Sequence, residues 1–484
     1  MKLPSLSSSI LLVLVIGFFQ PVWADYEISR QKQTAIDQVD ALEDEIANMS
    51  MELWNYSEIA LREVKSAEFL ANTLEQAGFS VERGVADMPT AFVAEWGSGG
   101  PVIGILAEYD ALPNIGNDPV PLKQAREDGH DHGHGCGHNL FGAGSVGAAI
   151  ALKRTMEEHG IKGTVKLFGS PAEETVVGKV YMASAGVFDG IDITLDWHPF
   201  YYTEVTNAKG QALNNFQVEF FGKAAHGAFD PWNGRSALDA VELMNHAANM
   251  MREHIEPTAR IHYVIPNAGE APNVVPAYAK VWYYVRDSNR KNVEAHYQWL
   301  TQIAEAAAMA TQTTYKLTLI TGVHEILLNR PLQEAAQANL EYVGAPVFSK
   351  ADQAFTRELQ SGLGLEPVGY PDKVKPLADK IQPPQGGSTD VAEVTRLAPG
   401  VSIYVATAGT DLPWHSWATS ASHGRPSAAK GASVAAKTLA MTAIDFLLDQ
   451  DLRERARTEF DEKMKDHPYV SPVPEGQKAI LPEG

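Results

Sequence analysis

The sequence predicts an α/β protein with a mostly parallel sheet and an inserted ferredoxin-like α+β module, on three observations. First, four short apolar runs read as buried strands: 102–107 (VIGILA), 165–168 (VKLF), 191–195 (IDITL) and 401–408 (VSIYVATA). Second, helical stretches at 141–158 and 178–185 fall between them, and strands alternating with helices imply βαβ crossovers and parallel pairing. Third, the rhythm changes between Gln211 and Leu319 to strand, helix, strand, strand, helix, strand, the split βαβ layout.

The elements follow in chain order. Residues 1–24 stand apart: Lys2, then the ten-residue apolar core ILLVLVIGFF (10–19), then Val22-Trp23-Ala24. Small residues before a cut at Asp25 make this an expected export signal. Ten apolar residues fall short of the roughly 20 needed to span a bilayer, so a periplasmic or secreted protein without a membrane anchor is expected. Ile36, Val39, Leu42, Ile46, Met49 and Leu53 recur at three- and four-residue steps, the mark of an amphipathic helix. The first three apolar strands follow. The inserted module has strands at 213–221, 260–265, 279–285 and 314–319 and helices at 236–254 and 293–310. The fourth apolar strand comes after it, and the Pro-rich end beyond Asp466 reads as loose. The division is a signal at 1–24, a main domain at 25–208 and 323–450, an insert at 209–322, and a tail at 451–484.

Composition excludes other classes. The 484 residues carry a formal net charge of −21 with no basic stripe, which argues against a nucleic-acid groove. A single cysteine rules out a disulfide framework.

Each apolar strand is followed by chemically capable side chains: Glu108 and Asp110, then Glu173 and Glu174 (SPAEET), then His198 (DWHP), then His415 (PWHSW). Parallel strands deliver such groups to one edge, where open α/β sheets bind ligands. A fifth cluster, GHDHGHGCGHN (129–139), holds four of the fifteen histidines and the only cysteine. Imidazole and thiolate are ligands for zinc and related divalent metals, and glycines let backbone approach an ion. A solvated His-rich loop of a metal scavenger is the alternative. Adjacent Glu173 and Glu174 allow one carboxylate to bind metal while the other accepts a proton. The run Gly142-Ala143-Gly144-Ser145-Val146-Gly147 matches G-x-G-x-x-G, but no strand immediately precedes it, so close helix packing is expected there.

These motifs occur in a recognisable order: AEYDALP (107–113), GHGCGHN (133–139), PAEE (171–174), DWHP (196–199), GKAAHGAF (222–229), APNVVP (271–276) and GGSTD (386–390). The chain resembles the aminoacylase/carboxypeptidase family of metal-dependent amidohydrolases, on the branch with aminobenzoyl-glutamate hydrolases and auxin-conjugate hydrolases. The resemblance implies a metallopeptidase-like catalytic domain whose insert is a lid and dimerisation domain. It implies that Cys136, His138, Glu174, His198 and His415 hold two divalent ions, zinc or manganese, with Glu173 as general base and Asp110 orienting a ligand histidine. His226 of the lid would reach the oxyanion, usually in a partner subunit's site. Asn273 and Arg286 would grip the substrate's carboxylate, and Gly387 would also belong to the substrate-binding residues. The implied substrate is a small N-acyl or N-aroyl amino acid, and the implied assembly a homodimer or a pair with a paralogous subunit. Departures are Glu108 where many relatives have histidine, which is expected outside the ligand set, Asn139 after CGH, Ala429 in PSAAKG (426–431), and the long insertion 114–128. A non-catalytic metal-binding protein, or the same chemistry on dipeptides, are the alternatives.

Overall fold

The computed structural model describes residues 28–382 and 386–482; the expected export signal lies outside the described residues. The strands are β1 (Ser80–Arg83), β2 (Phe92–Ser98), β3 (Val102–Glu108), β4 (Gly163–Ser170), β5 (Ile193–Phe200), β6 (Glu204–Val205), β7 (Ala212–Phe221), β8 (Arg260–Asn267), β9 (Tyr278–Asp287), β10 (Thr314–Val323) and β11 (Gly400–Ala406). Seven of them form one sheet in the order β1-β2-β4-β3-β5-β11-β6. The four expected apolar strands are its centre, β4-β3-β5-β11, and all pair in parallel. Both faces of such strands are covered, which is why they read as continuous apolar runs. Antiparallel β2 and β1 extend one edge and β6 the other.

The helix His138–His159 links β3 to β4 and is buried along most of its length against the helix Ala429–Leu448. Its glycines set the contact distance. A Cβ on Gly144 would lie 2.8 Å from Trp197 Cζ2, and one on Gly147 2.5 Å from Ile46 Cδ1. The G-x-G-x-x-G run is therefore a packing surface inside a helix, as expected. The stretch 426–448 is the only one among the described residues long and apolar enough to cross a membrane, and most of it is buried in this core.

β7 to β10 form a second, wholly antiparallel sheet in the order β10-β7-β9-β8. The helices Ala237–Met251 and Arg290–Thr311 pack on each other and on this sheet, enclosing a separate core that includes Phe216, Met244, Tyr283 and Leu300. The expected β-α-β-β-α-β order is present.

Two expectations need correction. The first amphipathic stripe is carried by two helices, Arg30–Asp40 and Glu43–Tyr56, broken at Ala41-Leu42. Val39, Leu42, Ile46, Met49 and Leu53 still share one buried side, because the break preserves the phase of the stripe. The end beyond Asp466 is docked rather than loose. Val473 is buried, and Gln477 donates to Tyr181 Oη and to the Leu319 carbonyl, both at 2.8 Å. A single buried valine and one amide in a Pro-rich stretch leave no periodic signal.

Candidate active site

The carboxyl ends of the parallel strands deliver the expected residues to one place. Glu108 ends β3, and Asp110 follows it. Glu173 and Glu174 occupy the short 3-10 turn Glu173–Thr175 beyond β4. His198 lies inside β5, opposite Tyr404, because that strand runs on to Phe200. His415 follows β11. Backbone strain marks the turns: Ala172 (φ 58°), Val176 (φ 52°) and His415 (φ 56°) are all left-handed without being glycine, a cost that persists only where surrounding structure imposes it.

Ligand-type atoms converge in three groups, each with its atoms within 4.8 Å of one another: Cys136, His138 and His198; Cys136, Glu174 and His415; Glu108, His138 and Glu173. The first two meet at Cys136, whose Sγ lies 3.3 Å from His198 Nε2. Two imidazoles are oriented for metal. His138 Nδ1 donates to Asp110 Oδ1 at 2.7 Å, and His198 Nδ1 donates to the Pro199 carbonyl at 2.7 Å. Each leaves Nε2 turned into the cluster, the usual arrangement of a ligand histidine. His138 Nε2 and Glu174 Oε1 are buried without a hydrogen-bond partner among the described residues. Orphaned acceptors of this kind fit a bound cation. His415, exposed at the mouth, sits 3.5 Å from Glu174 Oε2.

Electrostatics point the same way. Burial, then the charges of Glu108 and Asp390, push the Glu173 carboxyl up to about 8. Burial, then Glu174, raises the Cys136 thiol, so a thiolate there needs a nearby positive charge. Burial, then His138, lowers His198 to about 3, leaving it neutral. Although burial opposes its ionisation, Asp110 is held below the usual carboxylate range by His138.

Of the four histidines in GHDHGHGCGHN, only His138 enters the cluster. His134 is a buried neutral ring bonded to the Leu53 carbonyl at 3.0 Å, while His130 is exposed and His132 half-buried. Gly137 has φ 87°, and a Cβ there would lie 2.7 Å from Pro199, so the loop needs glycine to reach β5. Glu108 lies 3.2 Å from His138 Nε2, closer to the cluster than expected, but its other oxygen is 2.7 Å from Lys179 Nζ.

The module residues are placed differently. Arg286, on β9, bonds Ser388 Oγ at 3.1 Å and lines a cavity with Gln211 and Gly386; Gly387, beside it, accepts from the Gln211 amide at 2.8 Å. His226 and Asn273 sit on adjoining exposed loops, where the Gly227 amide donates to the Asn273 carbonyl at 2.8 Å. They are not part of the cluster within this chain. Ala429 is buried at the start of its helix.

Sequence reasoning missed Lys179, Asp390 and Glu63. Lys179 Nζ lies 2.7 Å from Asp390 Oδ1 as well as from Glu108, all three buried. Although burial opposes its charge, Asp390, Glu108 and Glu173 hold the ammonium on. Glu63, buried, accepts from the Ala172 amide at 2.8 Å and so secures the turn carrying Glu173. The GGSTD motif contained Asp390, but nothing local told it apart from a cap.

The chain has relatives among known proteins. A model of peptidase family M20/M25/M40 matches residues 104–439. The chain is 36% identical over 464 residues to one of the two subunits of the p-aminobenzoyl-glutamate hydrolase of Escherichia coli (strain K12), covering 90% of this chain and 96% of that protein. It is 28% identical to the Xaa-Arg dipeptidase of Mus musculus, over 92% of this chain and 95% of that one. The aminobenzoyl-glutamate utilization protein from Klebsiella pneumoniae shares the fold, with a TM-score of 0.60 at 18% identity, covering 86% of this chain and 98% of that one. A family match over more than half of the chain, with a relative this similar along nearly its whole length, places the chain in peptidase family M20/M25/M40, a family of metal-dependent amide hydrolases.

Proposed function

We propose that the chain hydrolyses the amide joining an acyl or aroyl group to an amino acid with a free carboxylate, with two divalent ions, zinc or manganese, as cofactors. The observation that carries the reading is the sharing of Cys136 by two ligand groups, one with His138 and His198, the other with Glu174 and His415. Divalent ions bound there supply carbonyl polarisation and a water acidified toward neutral pH.

The chain's own residues do the rest. Glu173, set beside the ligand groups with His138 and Glu108, takes a proton from the attacking water and returns it to the leaving amine. Addition of the water oxygen forms the C–O bond and leaves an oxyanion; the C–N bond then breaks as the nitrogen takes the proton, giving a carboxylic acid and an amine. Asp110 orients His138 and, through the Glu174 amide at 2.9 Å, the metal-binding turn. Arg286, with Gly387 beside it and Asn273 from the module loop, grips the substrate's carboxylate, since guanidinium matches that planar anion. His226 has its Nδ1 occupied as acceptor from the Ala228 and Phe229 amides, leaving Nε2–H as an exposed donor. That supports a role at an oxyanion in a second copy's site. The assembly we favour is a homodimer through the β7–β10 module. Similarity to both subunits of the Escherichia coli hydrolase supports a paralogous partner as the alternative. The 1–24 segment supports export, testable by finding Asp25 at the mature N-terminus.

Metal analysis of purified protein, with a panel of N-acyl amino acids and dipeptides assayed with zinc and manganese, tests the reading. Glu173→Gln and His415→Ala should each lose activity. Retained hydrolysis in both, or no bound transition metal, ends it. The dipeptidase relative makes dipeptides the second reading. A metal store without catalysis would leave Glu173→Gln indistinguishable from wild type.

A further inference from the structure

The polypeptide leaves the β7–β10 module through β10, and other parts of the chain hold that exit. β10 pairs with β7 continuously as far as Leu319 opposite Phe216 and resumes at Thr321 opposite Asn215, so Ile320 is a bulge residue. A bulge disrupts the ladder locally and leaves its extra residue unpaired. Here the main domain and the C-terminal segment take up what the ladder leaves. Tyr181 Oη donates to the Ile320 carbonyl at 2.5 Å, and Gln477 Nε2 donates to the Leu319 carbonyl at 2.8 Å. Gln477 Nε2 also donates to Tyr181 Oη at 2.8 Å, and Thr321 Oγ1 donates to the Val176 carbonyl at 2.6 Å. The C-terminal segment grips the same exit further along. The Tyr469 ring lies against His324 with centroids 5.6 Å apart, and Lys463 Nζ donates to the Leu328 carbonyl at 2.7 Å. Pro472 packs on Gly322 closely enough that a Cβ there would lie 3.1 Å from it.

Both ends of these ties lead to the chemistry. Val176 and Tyr181 flank Lys179 in the segment that runs from the Glu173–Thr175 turn into the helix Gly178–Ser184. On the module side, Val323, Leu213 and Arg286 stand in one row across β10, β7 and β9. That row spans two strand spacings, about 10 Å. The bulge therefore joins the metal-binding turn to the end of the sheet that carries Arg286. A substrate held at both places needs their separation fixed, because a misplacement of about 1 Å can cost about a hundredfold in rate.

We propose that Tyr181 and Gln477 are positioning residues: the C-terminal segment is a strap whose bonds at the β10 bulge set the distance between Arg286 and the metal ligands. Tyr181 holds the bulge to the catalytic turn, and Gln477 closes the tie from outside. The kinetic consequence rests on the amide-hydrolysis reading above; the strap itself does not.

The test reads geometry and kinetics separately. Spin labels carried by p-acetylphenylalanine replace the exposed Glu305 of the module and Glu358 of the main domain. Pulsed electron resonance on the metal-loaded full chain, diluted with unlabelled protein, gives their distance distribution. Wild type should show one narrow distance. Tyr181→Phe and Gln477→Met nearly conserve volume, so the fold is kept, and each should broaden the distribution. Each should also raise KM for an N-acyl amino acid about twofold to tenfold, the worth of one neutral hydrogen bond, with kcat changed less. Lys478→Ala, which removes only an exposed ion pair to Asp87 in the same segment, should alter neither. Unchanged distances in both variants, or broadened distances with KM as in wild type, overturn the assignment, even if melting temperature falls. Absence of hydrolysis of any N-acyl amino acid by wild type, with the distances broadening as expected, overturns the amidohydrolase reading instead.

Discussion

Lys179 offers a sharp test of how the active site is supported. Its ammonium is fully buried, 2.7 Å from both Glu108 and Asp390, which are equally buried. Lys179→Met leaves two carboxylates in the core with no cation between them, and at least one must take up a proton to remain there. For an acid with an unfolded pKa near 4.3, holding that proton at pH 7.5 costs about 4 kcal/mol, at about 1.4 kcal/mol per pH unit. That agrees with the roughly 3–5 kcal/mol found when one partner of a buried pair is removed. Burial opposes the ionisation of both Glu108 and Asp390, and removal of the Lys179 charge moves both further up. Acids raised in the folded state are at full stability below their unfolded pKa and lose it as pH rises toward the folded value. The penalty should therefore shrink to about 1 kcal/mol at pH 5. Urea unfolding followed by tryptophan fluorescence, from pH 5 to 7.5 in the presence of chelator, measures it. Lys179→Met combined with Asp390→Asn should recover most of the loss. A penalty below about 1 kcal/mol at pH 7.5, one that does not fall toward acid, or no recovery in the double variant would refute the reasoning.

Three further outcomes are expected. Asp110→Asn keeps the shape but loses the charge that orients His138, so metal affinity should drop about 10–100-fold; chelator competition reads it, and an unaltered affinity counts against the orienting role. Because Cys136 is the only cysteine, one thiol should be protected from a thiol-reactive dye in metal-loaded protein and released by chelator. Equal labelling in both states would remove Cys136 from the ligand set. Gly178→Ala places a Cβ against the Pro171 carbonyl at the base of the turn carrying Glu173 and Glu174. It should cost about 1–3 kcal/mol and weaken metal binding together, and stability lost without any change in metal affinity would separate that turn from the site.

Much of the site was legible because its residue types have few other uses at strand ends. Glu174, His198 and His415 stood out as ligand-type groups following apolar runs, Cys136 and His138 as members of the histidine-rich loop 129–139, and the fold brings all five together. The same signal could not tell His138 from His134, four positions away and equally buried. One ring's Nδ1 meets the Asp110 carboxylate, while the other's Nε2 meets a backbone carbonyl. Edge strands β1 and β6 were illegible because they are short and β1 is mostly exposed, with no apolar run to show. Lys179, in a stretch reading GKVYM, looks like any surface lysine until Asp390 arrives from 211 positions away.

Burial periodicity and ligand chemistry are local properties, so the order of residues alone was enough for the four buried strands, the inserted β-α-β-β-α-β module and the candidate ligands. Which cation meets which carboxylate is not local and emerged only on folding: Lys179 lies between Glu108 and Asp390, while Arg260 stands opposite Arg286 on the neighbouring strand. Those pairings depend on strand order and register, which bring distant positions within a few ångströms. Charge energies at such separations outweigh anything a local pattern encodes.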